Sequence, residues 1–310
     1  MTEPTGIFDP LGPESRNVLA EDFEEQLVRM GGDLGWVEVA RNVDVILKPG
    51  QPSRGIDVLW GIDNPWTSRT EGWVGEAKRR KDKTKYTPGE VQKEIQTLRD
   101  KVGGLRDNAR FYDDPTVKRA KIKELLGGII AYRSEDFDLA KLRTILRDMD
   151  FERREEDARP TRIAFLSPLT LEGLADCFNV VGRPRQFLWL PSAQHTARWT
   201  RVCPPHQLGL GLIAYRTDET PSRKVIWVRG GLDERDIEGW SQLVLDWGES
   251  FDVIAFTEMT DDMRKRVDTS WQRVAADTQT RPKGRLPLQL VPLHTQDGMK
   301  VFDRSWPVVD

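Results

Sequence analysis

Three charged side chains in the first third of the sequence have the types and the spacing of a phosphodiesterase centre. Glu76 and Lys78 are separated by one residue, so on a β-strand both side chains project from the same face. Asp57 lies in a neighbouring predicted strand and can face the same point. Two carboxylates are hard oxygen ligands that suit Mg²⁺, and the lysine adds a positive charge beside them. These residues indicate a candidate metal-dependent centre.

The elements that must position these residues follow from hydrophobic periodicity. Apolar residues at helical spacing predict one amphipathic helix from Glu14 to Met30, and this helix carries Glu24. Alternating valines predict a strand from Trp36 to Leu47, and the succession of helices and strands indicates an α/β protein. The remaining predictions for this half are, in chain order, strand Gly55 to Trp60, polar loop Gly61 to Gly72, strand Trp73 to Lys78, helix Pro88 to Val102, strand Gly127 to Arg133, helix Phe137 to Phe151, strand Arg162 to Leu166 and helix Leu169 to Phe178.

Asp57 and the triplet Glu76-Ala77-Lys78 resemble the PD-(D/E)XK nuclease superfamily, whose signature is an acid followed by (D/E)xK. The match extends upstream, because Phe23-Glu24 is similar to the Phe-Glu pair that Mrr-type restriction endonucleases carry on the first helix. It extends downstream to a basic stretch, a helix and a strand in the family's order. The resemblance covers about residues 14–170. It implies an α/β fold with a restriction-endonuclease-like mixed sheet flanked by helices, followed by a second α/β module.

The sequence departs from the family pattern at two positions. Ile56 occupies the place of the usual proline before the first acid. Many Mrr-type members have glutamine where Glu76 stands. Both variations occur within the superfamily, and neither removes a ligand.

The resemblance implies a role for each residue of this set. Asp57 and Glu76 would bind Mg²⁺ directly, with Mn²⁺ as a substitute, and the Ala77 carbonyl would complete the inner shell. Glu24 would hold a metal water or a second ion. Lys78 would orient the attacking water and stabilise the charge that develops on phosphorus. Such an enzyme is a DNA endonuclease that leaves 5′-phosphate and 3′-hydroxyl ends on double-stranded DNA, in prokaryotic restriction or anti-phage defence.

The segment after the triplet is strongly basic in a chain that is slightly acidic overall. From Glu76 to Arg106 there are ten Lys or Arg and five Asp or Glu, whereas the whole chain has a formal net charge of −3. A positive strip beside an acidic site suits a phosphate backbone. A charged surface helix is the alternative, because apolar residues from Val91 to Val102 give the helix a core face. The predicted DNA contacts are Arg79, Arg80, Lys81, Lys83, Gln92, Gln96 and, on the polar loop, Trp66, whose ring could stack on a base.

Composition excludes several classes of protein. Hydrophobic residues make up 38% of 310 residues, which is enough for a sizeable core and excludes wholesale disorder. No apolar run reaches the ~18 residues of a membrane span and the first residues lack a secretory signal, so we expect a cytoplasmic protein with no membrane partner. Two isolated cysteines and three scattered histidines indicate no zinc site. The near balance of charge excludes a simple nucleic-acid coat protein.

The second half of the chain offers no comparable acidic set. We interpret residues 1–13 as a flexible leader, 14–178 as the nuclease-like domain, 179–280 as a second α/β domain for recognition, regulation or assembly, and 281–310 as a Pro-rich extension. The predicted elements after residue 179 are strands Leu210 to Arg216, Lys224 to Arg229 and Asp252 to Phe256, and helices Glu234 to Trp247 and Asp261 to Asp277.

Two short segments of the first half have similar counterparts in the second. Gly128 to Arg133 is similar to Gly211 to Arg216, and Ile163-Ala164-Phe165 is similar to Ile254-Ala255-Phe256. A duplicated α/β unit would explain both similarities, whereas the shortness of the matches favours chance likeness between generic buried strands.

Other functions and partners stay open on the sequence alone. The same fold could serve as a non-catalytic scaffold that binds DNA or a partner protein, and the same centre could belong to a structure-specific resolvase or a transposon end-nuclease. The chain has no GxxxxGK[ST] loop, so any NTP hydrolysis would need an ATPase or sensor protein encoded alongside. Enzymes that cut both strands commonly dimerise, so we expect a homodimer or a hetero-complex.

Overall fold

Two mixed β-sheets with helices packed against them organise the chain in the computed structural model, so the prediction of an α/β protein is confirmed. One unit comprises residues 1–168 and 204–209, and the other comprises residues 169–203 and 210–310. The structure describes residues 8–9, 21–47, 52–79, 87–133, 138–149, 160–189, 197–229, 251–257 and 289–293, with residues 262, 265, 266 and 269. The predicted helix Glu234 to Trp247 and most of the predicted helix Asp261 to Asp277 lie outside these residues.

The sheet of the first unit has six strands whose spatial order follows the chain. The first four strands are antiparallel neighbours, whereas the fourth, fifth and sixth run parallel to each other. A parallel pair needs a crossover, which is supplied here by a helical connection between the fourth and fifth strands. The strands are β1 (Phe8–Asp9), β2 (Val37–Val45), β3 (Arg54–Asn64), β4 (Arg69–Arg79), β5 (Ile122–Arg133) and β6 (Arg162–Leu166).

In the described residues, the same part of the chain holds five helices, several of which pack directly on the sheet. They are α1 (Glu21–Asp33), α2 (Pro88–Arg106), α3 (Ala109–Asp113), α4 (Pro115–Arg119) and α5 (Leu139–Asp148). The first of them, α1, packs against β2, β3 and β4, and α2 packs against β4 and β5. The crossover from β4 to β5 therefore lays α2 over the strand that carries Glu76 and Lys78.

The start of α2 is fixed by its sequence. Thr87 accepts a hydrogen bond from the backbone N–H of Glu90, the Glu90 carboxylate accepts one from the backbone N–H of Thr87, and Pro88 follows as the first helical residue. This capping box satisfies two backbone donors that a helix start otherwise leaves open. The buried side chains of α2 then recur every three or four residues: Val91, Ile95, Leu98, Lys101, Val102 and Leu105. One of the six is a lysine.

Two tryptophans that flank the candidate centre in sequence belong to the core. Trp60 and Trp73 are buried on β3 and β4, where they oppose each other in the ladder. Trp36 meets Trp60 edge to face with 5.2 Å between ring centroids, an arrangement that aromatic quadrupoles favour. These rings hold the strands of the candidate site in place and do not line an open surface.

The polar loop predicted from Gly61 to Gly72 is wrong, because both strands continue through most of it. The turn between β3 and β4 spans only residues 65–68. Thr70 donates a hydrogen bond to Asp63 at 2.7 Å and Asn64 donates one to Glu71 at 2.6 Å, so these polar side chains support cross-strand pairs. These residues have the polar composition of a loop, but their cross-strand hydrogen bonds extend both strands.

Other bounds differ by a few residues at element ends. The strand predicted from Gly127 begins at Ile122, and the helix predicted to end at Val102 continues to Arg106. The helix predicted from Glu14 is present from Glu21 to Asp33, and residues 14–20 lie outside the described residues. The strand predicted from Leu210 to Arg216 is preceded by a short helix and begins at Leu212. Strands without a clear alternation, such as β1, are absent from the sequence predictions.

The second unit also holds a six-stranded mixed sheet. Its helix α6 (Pro168–Val180) packs on the sheet through Cys177, whose sulfur lies 3.2 Å from the hydroxyl of Tyr215, and through Phe178, which meets the Tyr215 ring edge to face. The short helix α7 (Pro205–Leu210) precedes the third strand along the chain, and residues 205–209 of it belong to the first unit. The strands are β7 (Pro184–Trp189), β8 (Arg198–Thr200), β9 (Leu212–Thr217), β10 (Lys224–Val228), β11 (Val253–Thr257) and β12 (Gln289–Leu293), in the spatial order β8, β7, β9, β10, β11, β12.

The two sheets repeat the same succession of strand directions. In each, the first four strands in space are antiparallel neighbours and the last two continue the sheet in parallel. By this correspondence β9 and β10 match β3 and β4, and β11 matches β5. The connectivity differs at one edge, because β8 follows β7 along the chain whereas β1 precedes β2. The sheets therefore share strand directions and not a full topology, and the duplicated α/β unit stays a prediction.

The similar segments found in the sequence do not occupy equivalent strands. Gly128 to Arg133 lies on β5, which has parallel neighbours, whereas Gly211 to Arg216 lies largely on β9, which has antiparallel neighbours. Their likeness therefore reflects burial of both strands and not equivalent position. In the described part of the chain, no helix is long and apolar enough to cross a membrane.

Gly127 is the most restrictive position of the parallel pair β5–β6. A Cβ there would overlap the backbone carbonyl oxygen of Arg162, its partner in the ladder. We expect Gly127→Ala to lower the free energy of unfolding by about 3 kcal/mol, at the upper end of overpacking effects. Gly103→Ala is the control, because a Cβ at Gly103 meets nothing within 4 Å and α2 should gain about 0.5–1 kcal/mol. The midpoints of urea unfolding measure the stability of both variants. Equal midpoints would contradict the close packing of Gly127 against Arg162.

Candidate active site

The β3–β4 hairpin brings Asp57 and Glu76 to the same place. Val58 pairs with Gly75 in the antiparallel ladder, and Asp57 and Glu76 stand one residue beyond that pair. Opposed residues of an antiparallel pair share a face and stand about 4.5–5.5 Å apart at Cβ. The register of the hairpin thus juxtaposes two residues that are 19 positions apart in sequence.

Asp57 is held in a fixed orientation inside the protein. Its side chain is 6% exposed, and its Oδ2 accepts a hydrogen bond from the backbone N–H of Ala77 at 2.5 Å. This bond crosses from β3 to β4, so the carboxylate is part of the connection between the two strands.

Glu76 is enclosed between two ammonium groups. It is 2% exposed; its Oε2 lies 2.9 Å from Lys78 Nζ, and its Oε1 lies 2.5 Å from Lys101 Nζ. Lys78 reaches it from the same strand, and Lys101 reaches it from α2. A carboxylate this deeply buried requires such partners, because desolvation of an unpaired charge costs several kcal/mol.

Lys101 is the site residue that the sequence predictions missed. It is 7% exposed, and it lies on the apolar face of α2, three residues after Leu98 and four before Leu105. Glu94 lies on the same line of the helix and accepts a hydrogen bond from the Tyr132 hydroxyl on β5 at 2.8 Å. Both residues could have been identified from the sequence, because Glu94 and Lys101 are charged residues seven positions apart within the apolar stripe of α2.

The electrostatics of the pair differ from those of isolated acids. Burial, with the Glu76 carboxylate as the second cause, raises the pKa of Asp57 to about 7, although Lys78, the Ala77 N–H and Lys101 act in the opposite direction. Burial also opposes the charge on Lys78, but the carboxylates of Glu76, Asp57 and Glu94 outweigh it and raise the pKa of Lys78. The site therefore combines a firmly charged ammonium with a carboxyl that titrates near neutrality, as expected of a functional centre.

Two carboxylates and no third ligand side chain form this centre in the described residues. Glu24 lies on α1 and is 4% exposed, and no group of three or more His, Cys, Asp or Glu side chains is arranged to hold a metal within the described ranges. The pair fits a divalent cation in chemistry, because both ligands are hard oxygens and a cation between them would relieve the repulsion that raises the pKa of Asp57.

The predicted DNA contacts fall partly outside the described residues. Arg80, Lys81 and Lys83 lie in the segment 80–86, and only the backbone of Arg79, at the end of β4, is described. Gln92 is exposed on the first turns of α2. Gln96 donates a hydrogen bond to Asp100 one turn later at 2.6 Å, so its amide already has a partner along the helix.

Trp66 lies at the opposite end of the hairpin from the acidic pair. Its backbone N–H donates to the Asn64 side chain in the β3–β4 turn. Asp57 and Asn64 are seven residues apart on β3, which at about 3.4 Å per residue separates them by roughly 24 Å. The structure therefore brings together Asp57, Glu76 and Lys78 and separates Trp66 from them.

Comparisons with family models, with curated proteins and with solved structures found no match for this chain. The functional interpretation of the site therefore depends on its own geometry and on the sequence motif.

The raised pKa of Asp57 makes a prediction about stability and pH. The unfolded chain releases this proton near pH 3.8 and the folded protein near pH 7, so the wild type loses stability as pH rises between these values. At about 1.36 kcal/mol per unit the loss is at most about 4 kcal/mol. Asn cannot ionise and still accepts the Ala77 hydrogen bond. The stability advantage of Asp57→Asn over wild type, from urea unfolding without metal, should grow from pH 4 to pH 8.

Asp107→Asn is the control for the loss of one carboxylate, because Asp107 is exposed at the end of α2. If the difference in unfolding free energy between Asp57→Asn and wild type did not change with pH, Asp57 could not be a buried ionisable group.

The Lys101–Glu76 pair makes a second prediction. Lys101→Met leaves a buried carboxylate with one ammonium fewer, and removal of one partner of a buried pair costs about 3–5 kcal/mol. Lys93→Met, on the exposed side of the same helix, should change the unfolding free energy by about 0.5 kcal/mol or less. The double variant Lys101→Met/Glu76→Gln should recover part of the loss. Equal effects of Lys101→Met and Lys93→Met in chemical denaturation would show that the pair is not buried in solution.

Proposed function

We propose that the first unit is a Mg²⁺-dependent DNA endonuclease of the PD-(D/E)XK type. The observation that carries the proposal is the buried pair of Asp57 and Glu76 on adjacent strands, with Lys78 bonded to Glu76 on the same face of β4. The order α1, β3, β4, α2, β5, with the basic segment before α2, supports it, because the Mrr-type resemblance implies that succession. A cytoplasmic setting in prokaryotic restriction or anti-phage defence follows from the resemblance alone.

The residues divide the work of phosphodiester hydrolysis between them. Asp57 and Glu76 would hold Mg²⁺, with Mn²⁺ as a substitute. By resemblance the Ala77 carbonyl would complete the inner shell and Glu24 would hold a metal water or a second ion. When bound, the ion supplies positive charge that neutralises the phosphate and lowers the pKa of the attacking water. Lys78 Nζ orients that water and stabilises the negative charge that develops on the phosphate oxygens.

Hydrolysis then leaves defined ends. The water oxygen forms a bond to phosphorus, the bond from phosphorus to the 3′ oxygen breaks, and the 3′ oxygen takes up a proton. The products are a 5′-phosphate and a 3′-hydroxyl. Lys101 does not need to touch the substrate in this scheme; it fixes Glu76 Oε1 and is a positioning residue.

A non-catalytic scaffold is the second candidate function, and one observation favours it. Both oxygens of Glu76 are engaged by lysines at hydrogen-bond distance, so the ion pairs already satisfy this carboxylate. In that case the unit would bind DNA or a partner protein through the same surface without cleaving it. The structure-specific resolvase or transposon end-nuclease differs from the endonuclease only in its substrate.

One assay separates these functions. Purified full-length protein is incubated with supercoiled, linear duplex and single-stranded DNA and with RNA, in Mg²⁺ and in Mn²⁺. We expect cleavage of duplex DNA, its loss in Asp57→Ala, and a decrease of about 10²–10³-fold in Lys78→Ala. Lys141→Met, at an exposed lysine of α5 outside the basic segment, is the control and should cleave at the wild-type rate. Ligation of the products without prior phosphorylation identifies the 5′-phosphate.

Each outcome of the assay decides between the candidates. Cleavage at the wild-type rate by Lys78→Ala would refute the proposed role of the lysine. Cleavage unaffected by Asp57→Ala would show that the active site lies elsewhere in the protein. DNA binding without cleavage of any substrate in either metal would favour the scaffold. Preference for branched over linear duplex DNA would favour the resolvase.

A further inference from the structure

The second unit carries a basic cleft on one face of its sheet. The cleft has a volume of about 430 Å³ and is lined by Arg185, Gln186, Arg216, Ser222 and Lys224. Small-molecule sites commonly occupy about 300–1,000 Å³, so the cleft has room for more than a bare ion. Of the five lining residues that the structure describes, three are cations and none is acidic.

The sheet register aligns the lining residues across three strands. Gln186 on β7 pairs with Arg216 on β9, and Arg216 pairs with Lys224 on β10. Paired residues share a face, so the three side chains form a row perpendicular to the strands. The adjacent residue Tyr215 contacts Cys177 of α6, which means that the row lies on the face opposite α6.

Arg216 is preordered at the centre of this row. Its guanidinium carbon lies 4.2 Å from the centroid of the Trp199 ring, and its Nη1 donates to Gln186 Oε1 at 3.4 Å. The buried Nε atom of Arg216 has no hydrogen-bond acceptor among the described residues. Lys224 Nζ lies 6.0 Å from the centroid of the same ring. Stacking on an aromatic face fixes the plane of a guanidinium without neutralising its charge.

Two acidic side chains near the cleft have defined partners. Asp252 accepts a hydrogen bond from the backbone N–H of Lys224 at 2.8 Å, and Glu219 pairs with Arg223 at 2.9 Å. Within the described residues, no carboxylate lies at ion-pair distance from Arg185 or Arg216. The cleft therefore keeps an excess of positive charge, of the kind that binds phosphate oxygens through charge-assisted hydrogen bonds.

The second unit does not repeat the acidic pair of the first. The ends of β9 and β10 that correspond to Asp57 and Glu76 carry Gly211 and Leu212 on one strand and Val228 and Arg229 on the other. These positions lie four to five residues along the strands from the Arg216–Lys224 pair, so the cleft is not the counterpart of the Asp57–Glu76 centre. The described lining of the cleft itself holds cations and no carboxylate, which suits it to a phosphate.

We propose that this cleft is a binding site for the phosphate group of a nucleotide, either free or within a nucleic-acid strand. Arg216 and Lys224 donate to the phosphate oxygens from the floor of the cleft, and the exposed Arg185 donates from its rim. The remaining volume accommodates the sugar and the base. The site is independent of the proposed nuclease function, since none of its residues belongs to the first unit.

Calorimetric titration of the full-length protein tests the proposal without divalent metal. The probes are inorganic phosphate, AMP, ATP, a short single-stranded DNA and a duplex DNA, each in EDTA so that metal-dependent cleavage plays no part. We expect binding of at least one nucleotide-containing probe, a tenfold or greater loss of affinity in Arg216→Ala, and a threefold or greater loss in Lys224→Met and in Arg185→Ala. Affinity should fall as NaCl is raised. Arg201→Ala, an exposed arginine of the same unit outside the cleft, should bind within twofold of wild type.

The probes distinguish the source of the phosphate. AMP or ATP that binds alone, or that displaces DNA, identifies a free nucleotide as the ligand, whereas DNA that binds without displacement by either identifies a strand. Binding of either ligand supports the site when Arg216→Ala weakens that binding. No binding of any probe at millimolar concentration would overturn the proposal, as would binding unchanged in Arg216→Ala, Lys224→Met and Arg185→Ala.

A structural control keeps the result interpretable. Near-ultraviolet circular dichroism and the urea midpoint report whether Arg216→Ala retains its tertiary structure, and Arg216→Lys keeps the charge but loses the planar donor geometry. Arg216→Lys should bind with intermediate affinity. If Arg216→Ala does not fold, Lys224→Met and Arg185→Ala decide the question by themselves, since both side chains reach the protein surface.

Discussion

The buried carboxylate of Glu76 is the interaction on which the first unit depends. A charge with this little exposure is tolerated only when cations meet it directly, and here they come from the same strand and from the crossover helix. The Asp57 carboxylate ties the neighbouring strand into the same network through the Ala77 N–H. Strand β3, strand β4 and helix α2 are thus joined at one buried polar point.

Much of this arrangement follows from the sequence. The alternation of Glu76 and Lys78 fixes their common face on any strand, and the two short strands predicted around Asp57 and Glu76 are present. The apolar spacing of Val91, Ile95 and Leu98 predicts the helix that covers them. These features are local, because each depends on residues within one element.

The parts that the sequence did not reveal depend on contacts between distant residues. Lys101 is 25 positions from Glu76, and only the packing of α2 on β4 brings them to 2.5 Å. The length of the β3–β4 hairpin depends on cross-strand bonds such as Thr70 to Asp63, which turn a loop-like composition into paired strands. The similar strand directions of the two sheets were not visible in the sequence, because the similar segments lie on strands in different places. Strands β3 and β9, which occupy the same place in their sheets, share almost no residues.

Helix α2 gives the acidic pair a mechanical connection to the basic segment. The helix begins at the capping box of Thr87, directly after residues 79–86, and reaches Lys101 about 14 residues later, a distance of roughly 21 Å along its axis. The contact between Lys101 Nζ and Glu76 Oε1 is 2.5 Å long, so a displacement of the helix that lengthened it by more than about 1 Å would break the hydrogen bond. One helix therefore adjoins the basic segment at its start and supplies, near its end, one of the two cations that make a buried Glu76 tolerable.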